Sequence, residues 1–167
     1  MTIKAGDRLP DGTLTELIET ETPGCTLGPN AFKVSDLVKG KRIVVFGLPG
    51  AFTPTCSAKH LPGFVNNAEE LKKKGVEVIA CLSVNDAFVM DAWGKAQNAG
   101  DKVIMLADGN ADFAKATGLT MDGTGYGMGL RTSRWAMVLE DGKVKTLNIE
   151  APGAFEVSSA EAVMKAL

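Results

Sequence analysis

The chain reads as an α/β protein built on a mixed sheet flanked by helices, and three observations carry that reading. Short apolar runs rich in β-branched residues alternate with helix-like stretches through the middle of the chain. Two more apolar runs near the end are separated by the turn pair Asp141-Gly142, and a last helical stretch follows them. The first core strand is Ile43-Val44-Val45-Phe46-Gly47-Leu48, bounded by Pro49-Gly50. After it, Leu61, Phe64, Val65, Ala68 and Leu71 recur at helical spacing up to Lys72-Lys73-Lys74-Gly75, a basic last turn with a glycine stop. Val76 to Val84 reads as a strand, Asp86 to Asn98 as a helix with Asp86 near its start, Val103 to Ala107 as a strand and Ala111 to Thr117 as a short helix. Trp135 to Leu139 and Val144 to Ile149 form a hairpin around Asp141-Gly142, and Ser158 to Leu167 is a terminal helix capped by Ser158 or Ser159. Ahead of this core, Thr13 to Lys33 alternates weakly, with turn residues at Pro23-Gly24 and Gly28-Pro29, and is expected to be an N-terminal extension with short strands.

A chain of 167 residues with 45% hydrophobic content suits one domain spanning residues 1–167. Its longest apolar stretches fall short of the roughly 18 residues that cross a bilayer, and Met1 to Asp7 carries early charges instead of the apolar stretch of a secretory signal. A cytoplasmic location is the expectation. A net charge of −2 gives no electrostatic case for nucleic acid or an anionic membrane, and Lys72 to Lys74 is a solvated helix end. Three cysteines without a signal fit a reducing compartment and reactive thiols better than a disulfide framework. With one histidine and no Cys-x-x-Cys or His-x-x-x-His pair, no metal or other cofactor is expected.

Cys56 carries the chemistry. It closes the run Pro49-Gly50-Ala51-Phe52-Thr53-Pro54-Thr55-Cys56, between a strand and a helix, where backbone N–H groups and the helix dipole favour an anion. Pro54 has no N–H and restricts the residue before it to extended backbone, which leaves the Thr53 hydroxyl available beside the thiol.

This run resembles the peroxidatic-cysteine loop of peroxiredoxins. The longer string PGAFTPTCSAKHLPGFV, with Cys81-Leu82-Ser83-Val84-Asn85-Asp86 and Arg131-Thr132-Ser133-Arg134, is similar to the type II or peroxiredoxin-five-like branch of that family along nearly the whole chain. The resemblance implies a thioredoxin-like fold and a thiol peroxidase acting on hydrogen peroxide and small organic hydroperoxides. A thiolate attacks one peroxide oxygen while the other departs as hydroxide or alkoxide, so the site must supply a nucleophile and stabilise charge on two oxygens. Cys56 is that nucleophile. A fixed positive charge is also needed, for which Arg42, Arg131 and Arg134 are the candidates by residue type. The resemblance selects Arg131, the first arginine of the Arg-x-x-Arg segment. It also implies that Thr53 bonds a peroxide oxygen, that the N–H groups of Thr55 and Cys56 complete the donors, and that Pro49 shields the sulfur.

The resulting sulfenic acid needs a second thiol before it oxidises further. Animal members of the branch carry a resolving cysteine near the C-terminus, where this chain has Ser158; Cys81, 25 residues after Cys56, matches the second cysteine of plant and bacterial members. Its place on an apolar strand favours a packed structural thiol over a resolving one. An external reductant, glutathione with glutaredoxin or thioredoxin, is therefore expected. Cys25 is given no catalytic role. His60, four residues after Cys56, is read as a supporting or interface residue instead of a catalytic base. The glycine series Gly123, Gly125, Gly127 and Gly129 is read as a flexible loop delivering Arg131, and Phe52 with that loop as a homodimer contact, since members of the branch commonly dimerise there. Two other functions fit the same fold. A thiol-disulfide oxidoreductase would show Cys-x-x-Cys where this chain has Thr53-Pro54-Thr55-Cys56, and a non-enzymatic redox sensor would oxidise quickly but turn over slowly.

Overall fold

The computed structural model describes residues 1–18 and 28–167. Cys25 and the expected turn at Pro23-Gly24 lie outside the described residues. Seven strands form one sheet in the order β2-β1-β5-β4-β3-β8-β9. At its centre β3 (Arg42–Gly47), β4 (Val78–Ser83) and β5 (Ile104–Ala107) run parallel, joined by helical crossovers. The hairpin of β8 (Trp135–Glu140) and β9 (Lys143–Ile149) extends one side antiparallel. Its turn residues Asp141 and Gly142 both have positive φ (49° and 79°), which explains the Asp-Gly pair. The expected mixed sheet is what forms.

The N-terminal segment does more than extend the core. Strands β1 (Thr13–Ile18) and β2 (Gly28–Lys33) pair antiparallel and complete the other side of the main sheet. Gly28-Pro29, expected as a turn, instead opens β2; as the outermost strand it tolerates a residue without an N–H. Helix α1 (Val34–Val38) was not legible in the sequence, because five residues offer too little periodicity.

Side-chain alternation sends each strand into two cores. Val44, Phe46, Ile79, Cys81, Ala136 and Val138 face one layer, with α2 (Leu61–Asn66), α3 (Ala68–Lys73), α4 (Ala87–Ala96) and α6 (Ala160–Ala166). Ile43, Val45, Ala80, Leu82, Met137 and Leu139 face the other, covered by α1 and by α5 (Asp112–Thr117). Two helix caps fall at positions read from the sequence, and a third carboxylate, not read there, serves α5. Asp86 accepts from the Val89 amide, Ser159, not Ser158, accepts from the Ala162 amide, and buried Asp108 accepts from the Phe113 and Ala114 amides at the start of α5.

The helix after Cys56 differs most from the expectation of one continuous amphipathic helix. Helical backbone begins at Pro54, widens into a π-turn over Cys56–His60, where the Leu61 amide reaches the Cys56 carbonyl, continues as α2 and breaks at Asn67 before α3. The glycine series forms the connection between the strands of a second, two-stranded ribbon, β6 (Thr120–Asp122) with β7 (Leu130–Thr132).

Candidate active site

The loop from Pro49 to Thr53 is tied down before any charged group is considered. Ala51 donates its amide to Asn85 Oδ1 at 3.0 Å, and the same oxygen accepts from the Ser83 hydroxyl at 2.7 Å, so the end of β4 anchors the loop that leaves β3. Phe52 sits at φ 63°, a strained backbone for a side chain, with its ring 6.4 Å from that of Trp93, whose indole N–H donates to Ser57 Oγ at 3.1 Å. The loop delivers Cys56 to the first turn of the helical segment, where amides have no partner within the helix. Cys56 is wholly buried in the core layer that also holds Phe46, Leu61 and Cys81.

The Thr53 hydroxyl donates to the Gly50 carbonyl at 2.7 Å, so its proton is committed and its oxygen is free to accept from a peroxide O–H. Pro49 and Thr55 line a cleft of about 650 Å³ together with Tyr126, Ser133, Arg134 and Glu150.

The arginine assignment needs correction. Arg134 Nη2 donates to Cys56 Sγ at 3.1 Å. Arg131 instead donates from Nε to the Met128 carbonyl at 2.9 Å and from Nη1 to the Pro49 carbonyl at 3.4 Å, joining the glycine-rich ribbon to the loop. Strand parity accounts for the choice. Trp135 points into the opposite layer, so Arg134, like Ala136, falls on the Cys56 face. Parity along Trp135 to Leu139 separates Arg134 from Arg131 once the sheet shows which layer holds Cys56. Packing then fixes the register: a Cβ on Gly47 would come within 2.3 Å of the Trp135 ring, and that indole donates to Thr132 Oγ1, which in turn donates to the Leu119 carbonyl.

Behind Arg134 stands His60. Its ring is buried, with Nδ1 2.8 Å from Arg134 Nη1 and Nε2 3.0 Å from the Ser158 carbonyl. Burial and then the neighbouring Arg134 charge lower its pKa from 6.5 to about 3, against opposing contributions from the Ser158 carbonyl and Glu150. A neutral imidazole without access to solvent is a poor general base. Glu150 accepts from the amides of Glu156, Val157 and Ser158 and from the Ser158 hydroxyl. Burial would raise its pKa, but these hydrogen bonds, led by the Ser158 hydroxyl, hold it below the usual carboxylate value. Neither Glu150 nor Asn85 was identified from the sequence, since each acts on backbone amides brought together by the fold.

Cys81, on β4 between Phe46 and Met105 of the neighbouring strands, is fully buried; burial first and Cys56 second push its thiol pKa well above the ordinary value, with Arg134 opposing.

A buried thiol in the first turn of a helix, facing a guanidinium at the end of an α/β sheet, defines a thioredoxin-like thiol enzyme. Comparison with known proteins makes the class specific. The Redoxin family profile matches residues 4–164, and the chain belongs to that family as a peroxiredoxin of the type 2 group, a thiol peroxidase. It is 49% identical to the chloroplastic peroxiredoxin-2E of Arabidopsis thaliana, over 99% of this chain and 69% of that protein. It is 46% identical to peroxiredoxin-2B of the same plant, over 99% and 98% respectively. The reduced Prx3 of Vibrio vulnificus in complex with H2O2 superposes with a TM-score of 0.91 at 52% identity, covering 99% of each chain.

Proposed function

We propose that this peroxidase reduces hydrogen peroxide and small organic hydroperoxides through Cys56 and is regenerated by an external thiol. The observation that carries the proposal is the 3.1 Å contact from Arg134 Nη2 to Cys56 Sγ, which sets a permanent cation against the attacking sulfur. The thiolate sulfur forms a bond to one peroxide oxygen as the O–O bond breaks. Cysteine sulfenic acid results, and hydroxide or alkoxide leaves with the electron pair and takes a proton from water. Thr53 accepts from the peroxide O–H, the Thr55 and Cys56 amides and Arg134 offset charge on the oxygens, and Pro49 limits water at the sulfur. Arg131 contributes by holding the Pro49 carbonyl. The description of the Vibrio relative as a complex with H2O2 supports hydrogen peroxide as a substrate.

In the second half of the cycle an external thiolate attacks the sulfenic sulfur and water departs. A second external thiol then reduces the mixed disulfide, leaving Cys56 as the thiol and the reductant oxidised. Glutathione with glutaredoxin, or thioredoxin, is the reductant we assign, in the cytoplasm. Burial of Cys81 and the serine at position 158 support external resolution. Phe52 (56% exposed), Tyr126 and Leu130 leave apolar surface near the site, which supports a homodimer through these loops; sedimentation as a monomer at micromolar concentration would remove that part.

The deciding experiment mixes reduced protein with substoichiometric hydrogen peroxide in stopped flow and locates the sulfenic acid by trapping and intact mass. Reaction far faster than free cysteine, with the trap on Cys56, is expected. Slow oxidation spread over Cys25, Cys56 and Cys81 would sink the proposal. Fast oxidation of Cys56 without turnover on either reductant would favour a redox sensor.

A further inference from the structure

His60, the chain's single histidine, is left without a task by the chemistry above, yet its surroundings are built in detail. Its ring lies among Phe46, Phe64 and Phe155, with centroids 5.0, 5.7 and 5.1 Å away. Its polar contacts are the Arg134 guanidinium on Nδ1 and the Ser158 carbonyl on Nε2. A guanidinium only donates and a carbonyl only accepts, so the two partners dictate one tautomer, with Nδ1 bare and Nε2 protonated. The imidazolium would aim a second N–H at the donors of Arg134.

We propose that His60 is a positioning residue for peroxide reduction: locked as its Nε2–H tautomer by the Ser158 carbonyl, it accepts from Nη1 of Arg134 and thereby aims Nη2 of the same planar group at the Cys56 sulfur. The inference rests on the assignment of Cys56 and Arg134 made above. Fixing one nitrogen of a rigid fork fixes the direction of the other, whereas a free arginine side chain would have to give up rotamer freedom at each encounter. Phe155, 5.8 Å below the guanidinium carbon, holds the group from another side. The line reaches further back. Glu150 gathers the amides of residues 156–158 and the Ser158 hydroxyl, and so holds in place the segment whose carbonyl selects the tautomer. The charged groups facing His60 are Arg134, ahead of β8, and Glu150, at the end of β9. The lowering of the His60 pKa to about 3 agrees with a ring that stays neutral through the working range.

Two amide substitutions separate the ring's contacts. In His60→Asn the side-chain oxygen falls near the place of Nδ1 and can still accept from Arg134. In His60→Gln the terminal amide reaches toward Ser158 and leaves Arg134 without its acceptor. Stopped-flow oxidation by hydrogen peroxide across pH should show His60→Gln slowed about 10- to 100-fold, with its pH profile moved to higher pH, and His60→Asn within about threefold of the parent. Equal rates in Asn and Gln variants that both keep the parent's circular dichroism would overturn the proposal. The unaltered protein provides a second readout. Nitrogen-15 NMR of its single histidine should show Nε2 protonated, Nδ1 bare and no titration from about pH 5 to 8; the opposite tautomer, or titration there, would overturn it as well. Arg134→Ala in the same assay separates the two levels. If that variant reacts as fast as the parent, the site assignment itself fails; if it is slow while the His60 variants are not, only the positioning role does.

Discussion

Cys56 and Cys81 are both wholly buried, share one core layer and sense each other electrostatically, yet the fold surrounds their sulfurs differently. Cys81 sits mid-strand, where the backbone N–H groups are spent on the ladder to β3 and β5 and no cation bonds its sulfur among the described residues. Cys56 sits where a loop becomes a helix, so amides are unspent, and Arg134 donates to its sulfur. Burial alone therefore does not decide whether a thiol is inert. What decides is whether donors are arranged around the sulfur before a proton leaves it.

The bluntest way to break this contrast is to remove each thiol in turn. Cys56→Ser should bring peroxide consumption down to the uncatalysed rate, while Cys81→Ser keeps most activity with glutathione and glutaredoxin supplied. Full loss in a folded Cys81→Ser would make Cys81 the resolving thiol. Next in size, Arg134→Ala should slow the first oxidation on the order of 10²- to 10³-fold, as loss of one preorganised donor does. Arg131→Ala, which removes the contacts to the Met128 and Pro49 carbonyls, should cost about tenfold or less; stopped-flow rates in the reverse order would restore Arg131 to the sulfur. Gly47→Ala should lower stability by roughly 1–3 kcal/mol in urea unfolding, because a methyl group there meets the Trp135 ring that sets the register of Arg134.

A subtler contrast lies in acid. His60 is neutral in the fold down to about pH 3 but takes a proton near pH 6.5 in the unfolded chain. Between those values the unfolded state binds the extra proton, so stability falls on acidification by up to ~1.4 kcal/mol per pH unit, and His60→Asn should show a shallower slope. Identical slopes in urea titrations from about pH 6.5 to 4 would mean that the ring is protonated in the fold. The smallest effect expected is on labelling. An alkylating reagent should modify Cys56 first and reach Cys81 at high pH or in denaturant, since burial raises the Cys81 thiol.

Most of the framework was legible residue by residue. Ile43 to Leu48, Val76 to Val84 and the Asp141-Gly142 hairpin carry strong local patterns, and the Pro49 to Cys56 run announces its turn, its proline restriction and its thiol within eight positions. Weak local patterns hid the joining of β1 and β2 to the main sheet, the five-residue α1, and the division of the Cys56 helix into a π-turn and two short helices. Local periodicity cannot report a sheet edge or one extra residue in a turn.

By itself, the sequence determined the α/β class and the family and pointed to Cys56 and the loop that presents it, because each is written in neighbouring residues with strong conformational preferences. Only the tertiary structure decided which arginine meets the sulfur and what holds that arginine. Arg134, His60, Ser158 and Glu150 come from a bend, a π-turn, a loop and a strand end separated by up to 98 residues along their hydrogen bonds. Contacts at such separations are selected by strand parity, by the Trp135–Gly47 fit and by the need to pair every buried polar atom, and those constraints exist only once the sheet has formed.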